Sequence, residues 1–109
     1  LLSTVGDFEL VAAVGTEAGA KLWLGENPGA WDLAIIDLVL EQGSGLAVVP
    51  SAHAARGPGA RVIVSSDYAS GGIRKHCLKL GADAVFLKSE TREFMDYCSE
   101  LGGLAATPA

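Results

Sequence analysis

Short unbroken apolar runs alternate along the chain with wider apolar stripes, and the two periods take turns four times. Leu33-Ala34-Ile35-Ile36 runs without a polar break and ends on Asp37, and Arg61-Val62-Ile63-Val64-Ser65 and Asp83-Ala84-Val85-Phe86-Leu87 follow the same plan. Runs of this length without alternation are the pattern of strands covered on both faces, as in parallel sheets. Residues 8–14 alternate large apolar with smaller or polar side chains, a further strand that Gly15 closes. Residues 1–5 are too short for an element of their own and read as the tail of an earlier helix, broken by Gly6-Asp7.

The stretches between these runs predict helices. Thr16 is placed to cap one that reaches about Gly25, with Glu17 in its first turn and Ala18, Leu22 and Trp23 toward the sheet. Asn27-Pro28-Gly29 stops it. After the Gly43-Ser44-Gly45 turn, residues 46–55 suit a helix, with a kink or a late, irregular start expected at Pro50, which lacks an N–H. From Ser70 or Gly71, Ile73, Cys77 and Leu80 mark a core-facing stripe, with Arg74, Lys75 and Lys79 on the other side and Gly81 closing the helix. A last helix starts at Ser89 or Glu90, carries Phe94, Tyr97, Cys98 and Leu101 on one stripe, and stops at Gly102-Gly103, leaving 104–109 as a tail. Strands alternating with amphipathic helices mean an α/β domain, a parallel sheet between helical layers, spanning 1–109 as one unit.

Composition narrows the function classes. The chain has 109 residues, half of them hydrophobic, with a formal net charge of −5. An acidic domain without clustered Lys and Arg is not expected to grip nucleic acid directly. No apolar run approaches the roughly 18 residues of a membrane span, and no leader is evident, so a cytoplasmic, non-membrane protein is expected. Cys77 and Cys98 fall on apolar helix faces and read as small buried hydrophobes rather than a disulfide or metal site. His53 and His76 lack ligand spacing and read as surface residues.

The carboxyl edge of a parallel sheet is where such folds bind ligands. Three successive strand ends bring Asp37, Ser66 and Lys88 there. A carboxylate, a hydroxyl and an ammonium together suit phosphoryl chemistry: the carboxylate attacks phosphorus while the other two stabilise its oxygens. Each alone has a duller reading, as a turn cap, a loop hydrogen bond or a solvated cation; the combination is harder to dismiss.

Here the chain resembles a known family, the receiver domains of bacterial two-component response regulators. Residues 32–40, Asp-Leu-Ala-Ile-Ile-Asp-Leu-Val-Leu, with Gly45-Leu46 after them, look like the segment around the phosphoacceptor aspartate. Val62-Ile63-Val64-Ser65-Ser66 looks like the fourth strand with its Ser/Thr. Residues 80–88, Leu-Gly-Ala-Asp-Ala-Val-Phe-Leu-Lys, look like the Gly-Ala segment leading to the fifth strand and its lysine. The separations match as well, 8 positions from Asp37 to Gly45 and 22 from Ser66 to Lys88. The resemblance implies a flavodoxin-like, three-layer fold of strand order 2-1-3-4-5. It also implies that Asp37 accepts a phosphoryl group from a sensor histidine kinase, a phosphotransfer protein or a small donor. Mg²⁺ would be held by Asp37, the Val39 backbone carbonyl and the phosphate, with Lys88 pairing the phosphate and the Ser66 hydroxyl swinging toward it. The added charge would switch a surface over about residues 71–101, signalling to a downstream protein or an output domain outside this chain. Such a domain is a signalling module rather than an enzyme, and homodimerisation stays open.

The chain departs from the family pattern at named places. The family's first strand ends in an acidic pair that helps hold Mg²⁺, and no residue of this sequence corresponds to it; about 20 preceding residues, a helix and a strand, are expected to supply it, the alternative being a truncated variant with no useful Mg²⁺ affinity and no phosphorylation. Glu41 stands where proline is frequent, so a more mobile loop is expected. Asp67 follows Ser66 where a small residue is usual, and is expected to repel phosphate or narrow access. Val85 takes the place of the common switch aromatic, with Phe86 beside it on the other face, and Ser89 replaces the proline that often follows the lysine. A second reading follows, a pseudo-receiver that keeps the fold as a non-phosphorylated interaction module. A nucleotide-binding or hydrolytic fragment ranks last, because Gly43-Ser44-Gly45 is neither a dinucleotide fingerprint nor a P-loop and no nucleophile motif is present.

Overall fold

The computed structural model describes residues 13–67 and 70–106. Its elements are α1 (Glu17–Glu26), β1 (Leu33–Asp37), α2 (Gly45–Ala55), β2 (Arg61–Ser66), α3 (Gly71–Leu80), β3 (Ala84–Leu87) and α4 (Thr91–Ala106). Residues 14–88 form one compact unit, and α4 belongs to another. The expected helix tail at 1–5 and most of the strand at 8–14 lie outside the described residues; Ala13 and Val14 carry no regular structure.

In the larger unit the sheet has order β1-β2-β3, all parallel. This is the run of consecutive neighbours expected for the last three strands of order 2-1-3-4-5. Register pairs Asp37 with Ser65 and Ser66 with Leu87, so all three strands deliver their carboxyl ends to one edge. β2 is the central strand and the most deeply covered. Val62 and Val64 on one face and Ile63 on the other are each 0% exposed, at about 1.5–3 kcal/mol of burial per side chain. β1 is less covered than its sequence predicts, with Ile36 buried and Leu33, Ala34 and Ile35 half-buried, because it is an edge strand among the described residues.

The helices pack as one connected layer, α1 on α2 and α2 on α3, with α2 against β1 and β2 and α3 against β3. Thr16 caps α1 as expected, its Oγ1 accepting from Gly19 N at 3.1 Å. The buried face of α1 differs from the expected one. Leu22 is 64% exposed and Ala18 is exposed, while Ala20, Trp23 and Leu24 join the core; α1 leans on α2 rather than on the sheet, which rotates the stripe that matters. Pro50 causes no late start: α2 begins at Gly45, capped by Ser44, and continues through an exposed proline. A proline ring facing solvent loses one hydrogen bond without having to displace the core.

α3 follows its stripe, with Ser70 as cap, Cys77 fully buried, Ile73 and Leu80 against the core, and Gly81 left-handed at φ 118°. A Cβ there would also press on the His53 ring, which makes glycine doubly required. Arg74 does not point away as expected; its guanidinium donates to the Val85 carbonyl at 2.8 Å and ties α3 to β3. His53 and His76 are exposed. In its own unit, α4 keeps the predicted stripe at Phe94, Tyr97 and Cys98, which are half-buried or buried. It runs through Gly102-Gly103 to Ala106 rather than stopping, so residues 104–106 of the expected tail are helical, and 107–109 lie outside the described residues. Glycine costs about 1 kcal/mol in a helix interior but does not forbid the conformation.

Candidate functional site

Asp37 is the last residue of β1, and the loop after it folds back on its carboxyl group. Val39 N donates to Asp37 Oδ1 at 3.0 Å, while Gly45 N donates to the Leu38 carbonyl at 3.1 Å. A Cβ at Gly45 would collide with the Asp37 carbonyl oxygen and lie 2.8 Å from Leu38 Cα. The eight-residue separation therefore has a physical cause: the chain returns so close to the strand end that only glycine fits.

Lys88 arrives from the end of β3. Its backbone N donates to the Ser66 carbonyl at 2.7 Å, extending the β2–β3 ladder by one step. That link aims the side chain across the edge, and Lys88 Nζ donates to Asp37 Oδ2 at 2.6 Å. The pair is open to solvent, with side chains 43% and 36% exposed. Asp67 Oδ2 lies 3.9 Å from the same ammonium. Two carboxylates thus converge on one cation, and the Lys88 contact of Asp67 is a feature that the sequence pattern did not reveal.

Desolvation is the largest single influence on the Asp37 carboxyl and pushes its pKa up. The Lys88 hydrogen bond, the Val39 N–H and the Lys88 charge together outweigh it, so the carboxyl sits below its usual value and Asp37 is ionised at neutral pH. The Lys88 ammonium is held above its ordinary value, first by its hydrogen bond to Asp37. An ionised carboxylate beside a paired cation, at the open edge of the sheet, has the chemistry of a nucleophile toward an electrophile whose oxygens the cation neutralises.

Ser66 reaches the same edge but is only 1% exposed; its backbone meets Lys88 while its side chain sits inside the fold. Val85 is buried in the core opposite Val64, and Phe86 is half-buried on the other face, as its position in the strand requires. Two of the Mg²⁺ ligands implied by the resemblance, Asp37 and the Val39 backbone, lie on this loop. Both Asp37 oxygens are engaged, and the described residues contain no group of three His, Cys, Asp or Glu side chains that could hold a metal. Mg²⁺ keeps several waters and takes only one or two protein carboxylates, so Asp37 and the Val39 carbonyl are the described groups that would hold it.

Glu41, where proline is frequent, gives the loop a backbone tie. Its backbone N, which proline would lack, donates to the Gly15 carbonyl at 2.9 Å. Sequence reasoning also missed Glu17, which it assigned only to the first turn of a helix. Glu17 Oε1 accepts from Ser44 N at 2.9 Å, across 27 positions, and no local signal marks such a contact.

No family model and no curated protein matches the chain. Solved structures do. A response regulator protein from Burkholderia pseudomallei, with a phosphorylated aspartic acid, calcium ion and citrate, is 24% identical with a TM-score of 0.69 over 92% of this chain. The chain spans 58% of that protein's length. A signal receiver domain from Mycobacterium tuberculosis is also 24% identical, with a TM-score of 0.68 over 86% of this chain and 73% of that one. A CheY-like response regulator receiver domain protein from Methanospirillum hungatei is 27% identical, with a TM-score of 0.52 over 74% of this chain and 71% of that one. With its parallel strands in consecutive order and Asp37 and Lys88 joined at their carboxyl edge, the chain carries the fold of a response regulator receiver domain.

Proposed function

We propose that the chain is a phosphoaccepting receiver domain of a two-component system, a signalling module rather than an enzyme with an external substrate. The observation that carries this reading is the 2.6 Å link between Asp37 Oδ2 and Lys88 Nζ at the open edge of the sheet. An Asp37 carboxylate oxygen attacks the phosphorus of a phosphohistidine on a sensor kinase or phosphotransfer protein. The new O–P bond forms as the P–N bond breaks, and the imidazole nitrogen leaves with the electron pair. Lys88 moves from the carboxylate to the phosphoryl oxygens, where an ammonium offsets the added negative charge. Asp37 and the Val39 carbonyl would be among the groups holding Mg²⁺, which when bound would supply further charge neutralisation.

Bringing the Ser66 hydroxyl to the phosphoryl group requires the end of β2 to rearrange, because this side chain is 1% exposed. Ser66 is in direct register with Leu87, and Val64 with Val85, whose carbonyl is held by Arg74, so β3 is the route by which a change at the end of β2 would reach the α3–β3 surface. That surface is the proposed readout toward a downstream protein. Among the described residues no helix is long and apolar enough to cross a membrane, and a cytoplasmic setting is proposed with the two-component reading.

A second reading has its own observation. Asp67 stands 3.9 Å from the ammonium that a phosphoryl group would need, which favours a pseudo-receiver whose cation is already paired with protein carboxylates. Incubation of the full-length protein with Mg²⁺ and a small phosphodonor separates the two. Phosphorylation of the wild type that disappears in Asp37→Asn supports the receiver; an unmodified wild type supports the pseudo-receiver.

A further inference from the structure

The loop 38–44 is held from two sides. On the strand side are the Val39 N–H on Asp37 and the return of Gly45 N to the Leu38 carbonyl. On the other side the loop is stitched to the start of α1. Glu41 N donates to the Gly15 carbonyl, Glu17 N donates to the Gln42 carbonyl, both at 2.9 Å, and Thr16 bridges Gln42 in parallel. One side chain joins these backbone links, that of Glu17. Its Oε1 accepts from Ser44 N at 2.9 Å, while Oε2 takes Lys21 Nζ at 3.0 Å.

These contacts divide the work of one carboxylate. Lys21, one helical turn on, fixes the carboxylate plane, and that plane aims the other oxygen at the loop. The Ser44 N–H, then Lys21, hold the Glu17 carboxyl below its ordinary value. The loop is shaped to admit this side chain. Gly43 lies at φ 84°, and a Cβ there would strike Glu17 Cβ. Ser44 is also the cap of α2, its Oγ accepting from Leu46 N at 3.2 Å, and it bridges Val39. One acceptor therefore fixes the residue where the loop ends, where α2 begins and where Val39 is paired.

We propose that Glu17 is a positioning residue that sets the backbone of Val39 against Asp37 by holding Ser44. The structural part of this inference stands on the contacts alone; its consequence for phosphorylation rests on the reading of Asp37 as the acceptor. Amide hydrogen exchange on the full chain tests the first part. Glu17→Ala should speed exchange at Val39 as well as at Ser44 by about tenfold, the scale of one hydrogen bond lost at a charged acceptor. Glu17→Gln, whose amide oxygen still accepts from Ser44 N, should restore slow exchange at both. Unchanged exchange at Val39 in Glu17→Ala, or failure of Glu17→Gln to restore it, overturns the proposal. Phosphorylation by a small phosphodonor tests the second part: Glu17→Ala should slow the reaction and Glu17→Gln should not. If the wild type takes no phosphoryl group, the acceptor reading fails while the exchange result still decides the role of Glu17.

Discussion

The sheet carries an aspartate–cation pair at each end, and the two pairs do different jobs. At the carboxyl edge Asp37 meets Lys88 at 2.6 Å; at the amino edge Asp83 meets Arg56 at 3.2 Å. Exposure hardly distinguishes them, since the side chains are 36% and 43% exposed in the first pair and 26% and 32% in the second. Connectivity does. Asp83 Oδ2 accepts from Val62 N at 2.7 Å, and Asp83 N donates to the Val62 carbonyl at 2.6 Å, so this aspartate locks β3 onto the central strand. Its Arg56 partner stands at the end of α2, and one guanidinium nitrogen, Nη1, donates to both carboxylate oxygens, at 3.2 and 3.3 Å. Asp37 instead makes its backbone hydrogen bond two residues away, to Val39, and its partner is a flexible lysine. One pair ties elements together; the other leaves an ionised carboxylate that a new ligand can approach.

The largest expected effect is at the carboxyl edge. Lys88→Ala should slow phosphorylation of Asp37 about 100-fold, the usual loss for removing one charge-stabilising donor, while thermal unfolding barely moves. Equal losses in rate and stability would erase the contrast between the ends. Gly45→Ala comes next, because its methyl group has to displace the backbone at Asp37 and Leu38. Chemical denaturation should show about 3 kcal/mol of destabilisation, within the range of severe packing conflicts. Asp83→Ala should cost about 1–3 kcal/mol by the same measurement, since the Val62 N–H loses its acceptor inside the fold. Its phosphorylation rate should stay that of the wild type.

The smallest effect is the pH dependence of the Asp37–Lys88 link. Asp37 is lowered from 3.8, so its contribution is complete above that value and is lost as the pH falls through the folded-state pKa. Lys88 is raised from 10.5, so its contribution is complete below that value and is lost as the pH rises through the folded-state pKa. Denaturation midpoints of wild type and Asp37→Asn should differ slightly and constantly between those limits. They should converge in acid. A large difference that persists below the folded-state pKa of Asp37 would give this pair the structural role assigned to Asp83.

Much of this was written in the order of residues. Unbroken apolar runs located β1, β2 and β3, and the cap at Thr16 and the left-handed Gly81 fixed helix ends, because strand burial and capping are decided by neighbours in the chain. Asp37, Ser66 and Lys88 were legible as a set because parallel strands return to the same edge. What the sequence could not disclose were relations across the fold. The face that α1 buries depended on α2, the direction of Arg74 on a carbonyl of β3, and the links of Glu17 to Ser44 and of Glu41 to Gly15 on partners 27 and 26 positions away. Local periodicity specifies which residues are apolar and where a helix begins. Tertiary packing alone selects which oxygen meets which N–H, because several acceptors of equal chemistry compete until the backbone has brought one of them within 3 Å.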